Sequence, residues 1–162
     1  MLISKELAKA LNDQVGHEYG ACLQYMSIGA YFDVQKLKLL SKLFFDQANE
    51  EKTHAEKLIR YILDTQTALQ IPPIPAPKPT FASAEEAVEA ALKWETGVTR
   101  QITALMDIAV KNNDYMSQGF LQWFVDEQLE EIAKMDQLLN VVRRSGERNL
   151  LMVEAYLVHI TK

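Results

Sequence analysis

Alternating steps of three and four residues trace four apolar seams along this chain, and each seam is interrupted near its middle by a ligand-type polar residue. The first runs Leu7, Leu11, Gln14, Glu18, Cys22, Tyr25, Gly29, Phe32, and the second Leu40, Phe44, Gln47, Glu51, His54, Leu58, Tyr61. The third passes Ala84, Val88, Ala91, Glu95, Val98, Ile102, Leu105 and Ala109, and the fourth Leu121, Phe124, Gln128, Glu131, Met135, Leu138 and Val142. Helical periodicity predicts four long helices. The first runs from an N-cap at Ser4 to about Asp33, and the second from Val34 or Leu37 to Asp64. Ser83 opens the third with Glu86 completing S-x-x-E, and the Asn112-Asn113-Asp114 reversal leads into the fourth, which ends near Arg144 at Ser145-Gly146. Glu147 to Ile160 forms a shorter, largely apolar fifth helix that must dock on this chain or on a neighbour.

Between the second and third helices the texture changes. All five prolines lie between Pro72 and Pro79, and such a run favours an extended segment of about 3.1 Å per residue. Residues 66 to 82 are therefore expected to run back along a helix roughly 40 Å long, so that the third helix points the same way as the second. The fold class is all-α: a four-helix bundle over residues 4–144 with one long crossover and a short C-terminal helix at 147–160, as a single domain spanning 1–162.

Such a bundle brings Glu18, Glu51, Glu95 and Glu131 to one height, with His54 and Gln128 beside them. Four buried carboxylates repel one another and change protonation unless cations neutralise them. Two divalent ions balance four carboxylates, and either Glu51 or Glu131 is placed to bridge them. Oxygen-rich ligation with one imidazole suits iron or manganese. The arrangement approximates the bundle pattern of one Glu from each of two helices and Glu-x-x-His from the others, with Gln-x-x-Glu replacing the second such pair. A metal-free alternative, polar residues acting as specificity devices, has to explain why they recur on four helices. Glu50, Glu127 and Glu130 sit next to seam residues, rotated by about 100°; they form either a solvated face, a third cation site, or a relay. Asp126 and Glu56 read as surface acids.

Composition narrows the class. The chain has 162 residues, 48% hydrophobic and 24% charged, enough for a substantial core. A net charge of -5 argues against non-specific nucleic-acid binding. The single cysteine, Cys22, excludes an internal disulfide and a Cys-x-x-Cys iron module. No signal-like segment or long apolar run is visible, so no membrane partner and a cytoplasmic location are expected.

Four stretches resemble bacterial non-haem ferritins, and together the likeness spans essentially the whole chain. They are E-Y-x-x-x-L-Q-Y (Glu18–Tyr25), E-E-K-T-H-A-E-K (Glu50–Lys57), W-E (Trp94–Glu95) and F-L-Q-W-F-V-D-E-Q-L-E-E (Phe120–Glu131). The resemblance implies that Glu18 and His54 are terminal ligands of a first iron, that Glu51 bridges, and that Glu95 and Glu131 bind a second iron. It gives Gln128 a supporting place near the oxygen-binding side and Tyr25 a hydrogen-bonding or electron-donating one, and it assigns Glu50, Glu127 and Glu130 to an adjacent third iron site. It further implies an iron-storage protein and ferroxidase, with Fe²⁺ and O₂ or H₂O₂ as substrates and a homo-oligomeric cage of 24 subunits holding a ferric mineral. Departures are expected to matter. Lys52 stands where haem-binding relatives place a methionine, and the fourth helix lacks Glu-x-x-His, so haem is not expected. Gln118 and Leu121 replace the acids that line three-fold channels in animal ferritins, and the fifth helix differs from the usual bacterial tail. The alternative function is a ferritin-like di-iron oxygenase or peroxidase that builds no storage cage.

Overall fold

The structure, a computed structural model, describes residues 1–160, and every regular element among them is helical. In chain order the elements are α1 (Lys5–Val34), α2 (Lys38–Asp64), α3 (Ala84–Lys111), α4 (Tyr115–Ser145), a single 3-10 turn at Glu147–Asn149, and α5 (Leu150–Ile160). Each boundary falls within a few residues of the position predicted by caps and breakers. Ser4 Oγ accepts from Leu7 N at 3.1 Å, Ser83 Oγ from Glu86 N at 3.0 Å, and Asp114 Oδ1 from Ser117 N at 3.0 Å. The cap of α3 departs from the expected reciprocal box. Glu86 turns its carboxylate to Ala82 N and to Lys78 Nζ, tying the crossover rather than Ser83 to the helix start.

α1 and α2 form one tight hairpin and α3 and α4 the other, with α1 also packed on α3. One apolar cluster joins Tyr25 and Phe32 of α1 to Phe44 of α2, Ala84 and Val88 of α3, and Leu138 of α4. A second joins Leu7 and Leu11 to Leu58, Ile102 and Leu121. The starts of α2 and α3 thus share one end of the bundle with the finish of α1 and α4, and α2 and α3 run parallel.

The crossover makes this possible by climbing along α1. Asn12 donates to Ala68 O at 3.2 Å and accepts from Gln70 N at 2.5 Å. Higher up, Gln24 accepts from Lys78 N at 2.9 Å and donates to Lys78 O at 3.2 Å. These two side chains satisfy backbone groups that no sheet or helix supplies. Between them Pro72 lies so close to α1 that a Cβ on Gly16 would meet its Cγ at 2.6 Å.

α5 docks against α2 and α4, burying Val153 and Leu157. Leu37, at the start of α2, supplies no side-chain cap. Glu154 of α5 does so instead, accepting from Leu39 N at 3.0 Å and Leu40 N at 3.1 Å. A carboxylate over unpaired N–H groups at a helix start is doubly favourable, through hydrogen bonds and the helix dipole. No helix among the described residues is long and apolar enough to cross a membrane.

Candidate metal centre

The two apolar clusters are separated by a polar layer at mid-height. Every seam position expected to be inside is buried except Tyr61, which is half-buried, stacks on Phe120 at 3.9 Å and shares a 2.7 Å hydrogen bond with Ser117. Glu18, Glu51, His54, Glu95, Gln128 and Glu131 all lie in this layer, none more than 5% exposed. Two groups of ligand atoms form there, each compact enough to surround one cation: Glu18, Glu51 and His54, and Glu51, Glu95 and Glu131. Glu51 belongs to both. A third group, Glu50, Glu127 and Glu131, opens toward the surface and shares Glu131 with the second. Three candidate positions are therefore strung together by two shared carboxylates. Glu130 is exposed and joins none of the three groups among the described residues. Asp126 and Glu56 are exposed, the first accepting from Gln122 and the second paired with Lys52. Leu121 is in the core and Gln118 is half-buried, donating to Ala109 O.

The carboxylates are held individually. Tyr25 OH donates to Glu95 Oε1, and Gln128 Nε2 donates to Glu95 Oε2 at 3.1 Å, so both oxygens of Glu95 are fixed from opposite sides. Gln128 also reaches Thr99 Oγ1 at 3.2 Å. Gln14 donates to Glu18 Oε1 at 2.8 Å. Gln47 donates to Glu51 Oε1 at 3.0 Å and to Glu131 Oε2 at 2.6 Å. His54 turns Nδ1 to Glu51 Oε2 at 3.1 Å, and Glu127 Oε1 lies 3.9 Å from its Nε2. The imidazole is boxed in by the edges of Trp123 and Phe124, and Lys57 caps the Trp123 ring at 3.7 Å.

Gln14, Gln47, Thr99, Lys134 and Trp123 are the members whose roles sequence reading left unassigned. A signal existed for the two glutamines. Gln14 and Glu18, like Gln47 and Glu51, are four apart on successive seams, the spacing at which an amide reaches a carboxylate.

Electrostatics explain what the layer requires. Burial drives the Glu18 carboxyl well above the ordinary carboxylate range, and the charge of Glu51 drives it further. Burial likewise raises Glu95 to about 7, with Glu51 adding to it, and Glu131 to about 8, with Lys134 opposing. Burial works against ionised Glu51 too, but its hydrogen bond and charge pairing with His54 win, and its value is lowered. Burial also pulls the imidazole down, yet Glu51 overrides it and His54 is raised. Without metal the layer thus limits its negative charge: the protonated forms of Glu18, Glu95 and Glu131 are favoured, and ionised Glu51 is paired with His54, whose protonated form is favoured in turn. One atom escapes this accommodation: Glu18 Oε2 is buried with no hydrogen-bond partner among the described residues, the His54 Nδ1 being 4.0 Å away. A buried carboxyl oxygen whose surroundings are other acids and an imidazole, with no hydrogen bond made to it, is suited to a cation. The donor set passes the test of fit for a hard or borderline divalent ion, with carboxylates dominant and no thiolate in any of the three groups.

A sequence model of the Ferritin-like domain matches residues 8–145. The bacterial non-heme ferritin of Staphylococcus aureus is 38% identical over 146 residues, covering 90% of this chain and 88% of its relative. A crystal structure of an open-pore ferritin from the hyperthermophilic archaeon Archaeoglobus fulgidus superposes with a TM-score of 0.92 at 31% identity, covering 96% of this chain and 97% of that one. A closed form of the same archaeal protein, engineered by site-directed mutagenesis, superposes at 0.91 with 30% identity and 96% coverage of both chains.

Proposed function

The chain belongs to the ferritin family, and from that premise we propose that it stores iron, oxidising Fe²⁺ with dioxygen or peroxide at the buried centre. The ferric product is kept inside a cytoplasmic, closed homo-oligomer of roughly 24 subunits, the assembly its resemblance implies. The observation that carries this reading is the pair of ligand groups sharing Glu51 inside an otherwise apolar bundle, one of them containing the unpartnered Glu18 oxygen.

Iron is the substrate here. Each Fe²⁺ gives up one electron, and two of them with two protons reduce O₂ to H₂O₂. Two positions joined by a shared carboxylate deliver both electrons together. Glu18, Glu51 and His54 hold one ion and Glu51, Glu95 and Glu131 the other, while Glu50 and Glu127 offer a flanking position through Glu131. Glu130, one residue from Glu131 and exposed, is assigned to the surface approach of that flanking position. Filling the centre with two divalent ions displaces the protons on Glu18, Glu95 and Glu131 and also the one on His54, since only a neutral imidazole can be a ligand, so charge enters and leaves the low-dielectric layer in balance. Tyr25 and Gln128 keep Glu95 oriented, and Gln47 does the same for Glu51 and Glu131. Anionic oxygens favour the ferric state over the ferrous one and so assist the oxidation.

Stopped-flow absorbance after mixing the metal-free protein with Fe²⁺ in air tests this. Glu18→Ala and His54→Ala are expected to remove the rapid oxidation phase, a loss of about 10²-fold or more, while the helical content is unchanged. A fast phase of wild-type amplitude in both variants would reject the assignment.

A further inference from the structure

Lys134 differs from the other lysines in where its ammonium ends. Nζ lies 2.6 Å from Gln47 Oε1, 3.5 Å from Glu50 Oε2 and 3.9 Å from Glu131 Oε2. Glu50 and Glu131 are two of the three acids of the outer group. Gln47 is the fully buried amide that donates to Glu51 and Glu131. An amide has one oxygen, and an ammonium holding that oxygen leaves the NH₂ end for the carboxylates. One cation thus touches the outer group and the residue that orients both shared carboxylates.

We propose that the Lys134 ammonium is a built-in cation at the Glu50–Glu127–Glu131 group, so that a metal ion settles there only by expelling it. The inference rests on the two-ion reading of the inner groups. A positive charge within about 4 Å of an incoming divalent ion opposes it even at a partly solvated site. The Lys134 side chain is 41% exposed, which screens the repulsion without abolishing it, and the flexible four-carbon stem gives the ammonium a way out to water. The inner groups meet it less: among the described residues none of Glu18, Glu51, His54 and Glu95 pairs with a lysine, and Lys134 reaches the second group only through the Glu131 that the outer group shares. They fill first, and the outer group holds its ion loosely, as a place of transit rather than residence. Lys134 is a positioning and selectivity residue in this scheme, not a ligand.

Zinc serves as the probe, since it is redox-inert and stays at equilibrium. It is titrated calorimetrically into the metal-free, fully assembled protein as wild type, Lys134→Met, Lys134→Gln and Lys134→Arg. Wild type is expected to bind two ions per subunit tightly and a third weakly. The two neutral variants should bind the third ion about tenfold tighter or more, a larger change than at the inner pair, which meets Lys134 only through Gln47 and Glu131. The arginine variant, which keeps the charge, should match wild type. A third-ion affinity within twofold of wild type in both neutral variants, or an arginine variant that behaves like them, overturns the proposal while leaving the inner pair intact. A wild type lacking two tight ions per subunit removes the two-ion reading and this inference with it.

Discussion

At the residue scale the centre is governed by protons as much as by ligands, and this gives the metal-free protein a pH dependence of definite sign. Glu95 and Glu131 carry folded values of about 7 and about 8 against an ordinary 4.5. Between those limits the folded chain holds protons that the unfolded chain has lost. The contribution of each group is therefore fully present below its ordinary value and is lost as pH rises through its folded value. Raised His54 and raised Glu18 act in the same direction, and within the centre lowered Glu51 opposes. The urea midpoint of the metal-free protein is expected to fall from about pH 5 to about pH 8. Glu131→Gln, which cannot ionise, should flatten the upper part of that slope, and bound zinc should remove most of it. A midpoint that is level or rises across this range would contradict the protonation pattern. The four acids of the inner layer were legible in the sequence because a carboxylate in an apolar seam is anomalous, and His54 and Gln128 through their three-residue spacing to Glu51 and Glu131. Gln47 gave only its four-residue spacing to Glu51, and Lys134 gave nothing, because a lysine at a rim is ordinary until its distances to Gln47 and Glu131 are known.

At the scale of elements, the helices and their order were legible from periodicity, caps and the proline run. What the sequence did not disclose is how the crossover is fastened. Asn12 and Gln24 look like interruptions in a pattern, yet they are the clamps for the extended segment. Glycines sort the same way. A Cβ on Gly16 would meet Pro72 at 2.6 Å, whereas one on Gly97 or Gly119 meets nothing within 4 Å. Pro72 has no flexible end to move aside, so Gly16→Ala must push the crossover away from α1. Gly97→Ala and Gly119→Ala remove only the helix penalty of glycine. Thermal unfolding is expected to show the latter two stabilised by up to about 1 kcal/mol each. Gly16→Ala should be destabilised by about 1–3 kcal/mol. An equal or higher midpoint for Gly16→Ala than for wild type would mean the crossover is not seated against α1 as described.

At the scale of the whole molecule, α5 carries a division of labour that its sequence alone, apolar nearly throughout, could not resolve. Val153 and Leu157 face the bundle, and Glu154 reaches the open start of α2. That anchoring fixes which residues face away: Leu151 is 76% exposed and Met152 66%. Large apolar side chains held rigidly outward on a docked helix are what a symmetric contact between copies uses, and an exposed pair of this kind is otherwise a liability. Their burial in an assembly and the anchoring of α5 are separable by substitution. Leu151→Glu with Met152→Glu places like charges from several copies together at any such contact, while the side chains that dock α5 are untouched. Analytical ultracentrifugation of this double variant is expected to show smaller species than wild type, with unchanged helical content and with zinc still bound at the inner groups. Glu154→Ala should instead loosen α5 from its own bundle, losing about 1 kcal/mol of stability through the uncapped start of α2. If the double variant sediments as wild type does, the outward face of α5 takes no part in assembly, and the subunit contacts must lie on the long helices.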